Sequence, residues 1–300
     1  MSVDCGAMVA LETLRRRVAL PRTAGSMRRL SLLLVVTMWV NVASGALVRV
    51  TGSGLGCPNW PTCSGSRPIP AVDQHAIIEF SNRLVAFCGI VIAVVAWIAA
   101  GRLADRRSAR LAAACGLLTI GQAPLGALTV LFDLNPVLVL SHFLVAIVAT
   151  ACATALWSGL GRGSARAQTT PLALAVVAAG FGLIVTGTLV TAAGPHAGDP
   201  KVHRIGSIGD AAYVHVRVAF IFCALVAVLV LALWRRADRG WVRPASAAAA
   251  LLPVQIAIGE WQYRHGLPRE LVLAHVAVAA ALWIAIVALA TRATTISPEG

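Results

Sequence analysis

Four positions inside strongly apolar stretches carry side chains able to do chemistry, and they come as two matched pairs. Leu-Val-Leu-Ser-His-Phe-Leu-Val-Ala at 138–146 returns as Leu-Val-Leu-Ala-His-Val-Ala-Val-Ala at 271–279, an offset of 133 residues with six of nine identical. The same offset carries Val85-Ala86-Phe87 onto Val218-Ala219-Phe220, and Asn82 onto His215. Each half therefore offers two inward positions sixty residues apart, 82 with 142 and 215 with 275. An imidazole in hydrocarbon is costly unless it faces a partner or a cofactor. Neutral imidazoles from two facing helices can fill both axial positions of a b-type heme, so heme iron is the leading candidate at His215 and His275. The plainer alternative is a pair of histidines hydrogen-bonded to neighbouring helices.

The first half departs from this symmetry. It keeps His142, has Asn82 where the second half has His215, and adds Glu79 where the second half has Ala212. Glu79, Asn82 and Arg83 share one helical face, which puts a polar cluster in an apolar segment. Glu79 and Arg83, spaced i and i+4, suit a structural ion pair; equally, Glu79 can be a reactive group over a second porphyrin. Arg217, two residues after His215, can pair with a heme propionate or simply snorkel to the headgroups.

The elements that must position these groups are membrane spans. Hydrophobic residues make up 58% of the 300, charged residues 12%, and the mean hydropathy is +0.81, well outside the soluble globular range. Stretches of about 20 apolar residues fall at 30–48, 77–100, 110–131, 137–158, 171–191, 212–234, 244–263 and 269–291. The predicted fold is all-α: a polytopic membrane protein whose eight transmembrane helices form two tandem four-helix bundles. An even number of spans per half gives a parallel repeat, related by a pseudo-twofold axis along the membrane normal. The division is a tail 1–29, a first half 30–158, a linker 159–170, a second half 171–291 and a tail 292–300. Residues 1–29 resemble the n-region of a signal peptide. Gly45-Ala-Leu-Val48 matches Gly187-Thr-Leu-Val190 at the end of the fifth span, so the first span is expected to stay.

The net charge of +13 encodes topology. With the N-terminus inside, seventeen of the 25 Lys and Arg fall on the inner side. That asymmetry puts both termini in the cytoplasm and the basic residues against anionic membrane lipid, with no nucleic acid as partner. Positions 82, 142, 215 and 275 then share one depth in the outer leaflet. The first outer loop is nine residues longer than its counterpart, and its Cys57 and Cys63 face an oxidising compartment that permits a disulfide. Zinc is disfavoured, since no second Cys or His pair stands at ligand spacing. Cys88, Cys115, Cys152 and Cys223 lie within spans as small apolar residues. His75, His196, His203 and His265 fall in outer connections and are expected to be solvated.

The run Gly45-Ala-Leu-Val-Arg49-Val-Thr51-Gly52-Ser53-Gly54-Leu-Gly-Cys57-Pro-Asn-Trp60-Pro61-Thr-Cys63, followed by Glu79-Phe-Ser-Asn82-Arg83 and the later histidines, resembles the heme A synthase family over residues 30–291. The resemblance implies an enzyme that oxidises a methyl group of heme O to a formyl group by successive hydroxylations, giving heme A for terminal oxidase assembly. It implies heme b held between His215 and His275. The substrate heme would lie in the first half, near Glu79 and with His142 as a ligand to its iron, and Cys57 and Cys63 would form a disulfide. Arg49 and Arg83 would anchor propionates. The family pattern commonly reads Glu-x-x-His-Arg where this chain has Asn82, so His142 would be the sole protein ligand there. Implied partners are heme O, the farnesyltransferase that makes it and an electron donor of unknown identity, in the plasma membrane, with room for a homo-oligomer.

Two other functions fit the composition. A non-catalytic b-type cytochrome taking electrons from quinol predicts matched ligand pairs in both halves, which Asn82 breaks. A heme transporter predicts polar groups at the midplane, whereas these lie near the outer face.

Overall fold

The computed structural model describes residues 23–57, 59–63, 70, 73–102, 106–162, 169–199, 202–236 and 238–295. The tail up to residue 22, the linker centre 163–168 and the last residues 296–300 lie outside them. Among the described residues the regular structure is eight long helices: α1 Ala24–Val50, α2 Gln74–Ala100, α3 Arg106–Leu131, α4 Pro136–Gly159, α5 Thr170–Ala193, α6 Ile208–Trp234, α7 Val242–Arg264 and α8 Arg269–Thr294. All eight are long and apolar enough to cross a membrane. In hydrocarbon a helix satisfies its own backbone, which leaves a chain of this hydropathy little alternative.

The apolar middles coincide with the predicted spans, but several helices start earlier. Hydropathy stops at the first polar residue, whereas the helix runs on into its cap. Thr23 and Ser26 form a capping box that starts α1 at Ala24, and Asp73 accepts from the Ala76 amide to start α2. Pro136 follows its Asn135 cap at the start of α4, and Ser207 caps α6. The hairpin between α3 and α4 is tight, with Asp133 and Leu134 both at positive φ.

In the first half, α1, α2, α3 and α4 pack in sequence and α4 closes back on α1. The core is built from small residues, Ala93, Ala96, Ala99, Ala112, Ala149 and Ala153, around Leu34, Met38 and Leu156. Without a hydrophobic force between helices in lipid, close approach over small residues supplies the cohesion. In the second half α5 packs on α6, and α8 on α5 and α7, but α6 and α7 make no extended contact. The halves meet where α8 lies against α1 and α4. There Trp39 donates its indole N–H to the Ala277 carbonyl at 2.9 Å, and Trp283 donates to the Ile147 carbonyl at 3.0 Å. Within each half, the helices bearing the paired positions, α2 with α4 and α6 with α8, are held apart by the odd-numbered helices and make no extended contact with each other.

Candidate functional site

Position 215 lies seven residues into α6, and 142 and 275 each lie six residues into α4 and α8, with 82 eight residues into α2. At the helical rise these are about 9–12 Å from their helix starts. All four thus share a level close to the connecting loops.

His215 is held by α5. Thr186 donates its hydroxyl proton to the Leu183 carbonyl at 2.9 Å, so its oxygen can only accept from His215 Nδ1, 3.0 Å away. That fixes the tautomer: Nδ1 carries the proton and Nε2 the lone pair, the arrangement a metal-ligating imidazole needs. The ring lies over Gly187, where an added Cβ would stand 3.1 Å from Cε1. His275 is held from α7, through the other ring nitrogen. The Gln255 amide meets its Nε2 at 3.0 Å, which puts the lone pair on Nε2 here too, and a Cβ on Gly259 would come within 3.0 Å of its ring. Its Nδ1 is buried without a partner.

The first half carries the same frame with different contents. His142 lies over Gly126, with a Cβ there 3.2 Å from Cε1, and its Nδ1 is buried without a partner. Gln122 donates to the His142 carbonyl rather than to its ring. At position 82, Ser44 donates to the Asn41 carbonyl at 3.1 Å and accepts from Asn82 Nδ2 at 2.8 Å, the same circuit as Leu183, Thr186 and His215. Asn82 lies beside Gly45 at a looser 4.0 Å.

Glu79 and Arg83 form the ion pair that their spacing allowed, at 2.5 Å. Glu79 is only 4% exposed, and its other oxygen accepts from the Cys57 amide at 2.7 Å. Arg83 also donates through its two terminal nitrogens to the carbonyls of Cys57, Asn59, Pro61 and Thr62. Cys57 and Cys63 are joined as a disulfide and are buried against Ala76, with Phe80 packed on them. The loop is therefore clamped onto α2 through Glu79 and Arg83, one helical turn from Asn82.

Arg49 donates to the Thr191 carbonyl across the halves at 3.2 Å. With Arg204, Arg269, His75 and His196 it lines a cavity of about 780 Å³ among the loops at the site's end of the bundle. Arg217 stacks on Tyr213, its guanidinium carbon 3.2 Å from the ring centroid. Of the loop histidines, His203 is exposed, His265 stacks on Trp261, and His75 bonds Ser53. His196 differs from expectation: it is half-buried, bonded to the Leu267 carbonyl at 2.7 Å.

Sequence reasoning found the four paired positions but missed what supports them. Gln122 and Gln255, like Gly126 and Gly259, are 133 apart; Ser44 and Thr186, like Gly45 and Gly187, are 142 apart. The signal was present at those two offsets. The second half fits a heme by its chemistry: two half-buried imidazoles with Nε2 lone pairs, glycines where any side chain would crowd the rings, and no extended contact between the helices that carry them.

A family model described as cytochrome oxidase assembly protein matches residues 28–287. The chain is 31% identical over 261 residues to the heme A synthase of Symbiobacterium thermophilum, covering 78% of this chain and 84% of that one. It is 32% identical over 131 residues to the heme A synthase of Bacillus licheniformis, covering 42% of each. With that of Listeria welshimeri it shares 36% over 125 residues, 39% of this chain and 40% of the relative. The matches thus span about two fifths of the length of the Bacillus and Listeria relatives.

Proposed function

The chain belongs to the cytochrome oxidase assembly protein family, and on that premise we propose that it is a heme A synthase, an oxidoreductase of heme A biosynthesis that converts the heme O methyl group to formyl. The names of its relatives support this reading, and the site chemistry supports it independently. The observation that carries it is the duplicated frame of hydroxyl, glycine and glutamine around positions 82, 142, 215 and 275, filled with two imidazoles in one half and only one in the other.

His215 and His275 hold heme b. Held between two imidazoles, that group would supply one-electron transfer. Thr186 keeps the His215 lone pair turned inward. The Gln255 amide meets the His275 lone pair, which a bound heme would take in its place. The first half receives heme O, with His142 as its protein ligand.

Glu79 sits at the rim of that site. Each of its oxygens already accepts a hydrogen bond and keeps a further lone pair on which to take a proton. Arg83 acts through the loop it holds, and Arg49, facing the cavity between the loops, anchors a propionate. Arg217 sits on its own helix at the same level and takes a propionate of heme b. The two four-helix halves are related by an axis along the membrane normal. Both termini face the cytoplasm across the plasma membrane, placing the sites in the outer leaflet. The lipophilic heme O arrives from a farnesyltransferase through the bilayer, and an electron donor serves the second half.

The test is chromatography of extracted hemes from cells that make heme O, with and without this chain. Heme A is expected only with the chain. Heme B alone, with heme O unchanged, would overturn the enzyme reading and favour a b-type cytochrome.

A further inference from the structure

We propose that the first half binds its porphyrin through a single protein ligand, His142, and keeps the opposite axial position open to a small exogenous ligand that Asn82 meets with its carboxamide oxygen. This rests on the reading of the first half as the heme O site.

The two halves make the argument by comparison within one chain. In the second half, the Thr186 hydroxyl, its proton already given to Leu183, takes the Nδ1 proton of His215 and leaves Nε2 to reach the gap between α6 and α8. In the first half, Ser44, its proton given to Asn41, takes a proton of Asn82 Nδ2 in the same way. The amide nitrogen thus occupies the role of Nδ1, and nothing on the shorter side chain corresponds to Nε2. Asn82 Nδ2 stands 4.0 Å from where a Gly45 Cβ would be, whereas His215 Cε1 is 3.1 Å from the Gly187 equivalent. Asn82 is thus both shorter than His215 and less tightly packed on its glycine.

Asn82 gives one of its two Nδ2 protons to Ser44, which leaves the second N–H and the lone pairs of Oδ1. A carboxamide oxygen is a poor ligand for heme iron, whose protein ligands are imidazole, thiolate, thioether and phenolate. It is a good hydrogen-bond acceptor. Oδ1 therefore accepts from an O–H group of a ligand in the open position. The asymmetry separates two tasks: an iron with both axial sites filled passes electrons, and one with a free site can take a reactant.

The test uses the full-length chain, purified in detergent and loaded with ferric heme O, read by absorption and electron paramagnetic resonance rather than by turnover. The expected result is two hemes per chain, one low-spin and one high-spin, with the reduced protein binding about one carbon monoxide per chain. Asn82→His is expected to convert the high-spin signal to low-spin and abolish carbon monoxide binding. Asn82→Ala is expected to keep both. Two low-spin hemes in the wild-type chain, or an Asn82→His spectrum identical to wild type, would overturn the inference and leave the heme O site standing. Uptake of one low-spin heme alone, with no second heme under any loading, would overturn the substrate-site assignment together with it.

Discussion

Glu79 carries two demands on one carboxylate. It bonds the Cys57 amide with one oxygen and Arg83 with the other, so it clamps the disulfide loop, and it also lies one helical turn from Asn82. Glu79→Gln separates these demands, because the amide can keep a carbonyl oxygen on the Cys57 N–H while losing the ion pair and the titrating proton. We expect the variant to fold and bind heme, and to convert heme O on the order of 100-fold more slowly, with hydroxymethyl product accumulating in the extracted hemes. Normal heme A output would show that Glu79 is a structural clamp only. The sequence permitted both roles for this residue, since spacing at i and i+4 says that two side chains can meet but not what else meets them.

At the scale of the helix, the odd-numbered elements are as much part of the site as the even-numbered ones. Gly187 on α5 and Gly259 on α7 give the imidazoles of α6 and α8 their room. A valine at Gly187 drives branched carbons into the His215 ring, while the exposed face of α5 is unchanged. Gly187→Val is expected to weaken retention of the second-half heme on the order of 10-fold or more, in line with changes to groups that orient a metal ligand, measured as heme per chain after size exclusion. Undiminished heme content would show that the glycine is not needed. These supports were hard to see in the sequence for a physical reason. Gly, Ser and Thr are frequent in membrane helices wherever backbones approach closely, so Gly187 or Ser44 alone draws no attention. The longer first loop also shifts α1 and α5 to an offset of 142, where the Gly45–Gly187 match marks the end of a span and says nothing of the ring it must make room for. The spans themselves were legible through their apolar middles. Their ends were not, because Thr23, Asp73 and Ser207 begin helices with polar side chains.

Across the whole molecule, the two halves are tied at both ends. At the end bearing the site, Arg49 reaches Thr191 and the Gly54 amide reaches the Gly198 carbonyl. At the other end, Arg162, just past α4, pairs with Asp238 between α6 and α7 and donates to Thr295. Partial burial alone would raise the Asp238 carboxyl, but the Gly240 amide and Arg162 outweigh it and hold it below the usual aspartate value. A depressed folded value means the carboxylate stabilises the fold fully above the unfolded value of about 4. That contribution is lost as pH falls through the lower folded value. Asp238→Asn should therefore lower the melting temperature in detergent at neutral pH, with the difference from wild type closing as the pH drops below about 4. A difference that persists unchanged in acid would contradict the latch.

The account stands or falls on two imidazoles in the second half sharing one iron. The measurement that addresses this most directly is the absorption spectrum of purified His215→Ala/His275→Ala protein, compared with wild type at equal chain concentration and with helicity checked by circular dichroism. The account predicts that the low-spin heme signal disappears while the helical content stays. A folded double variant that keeps the full low-spin spectrum would contradict it.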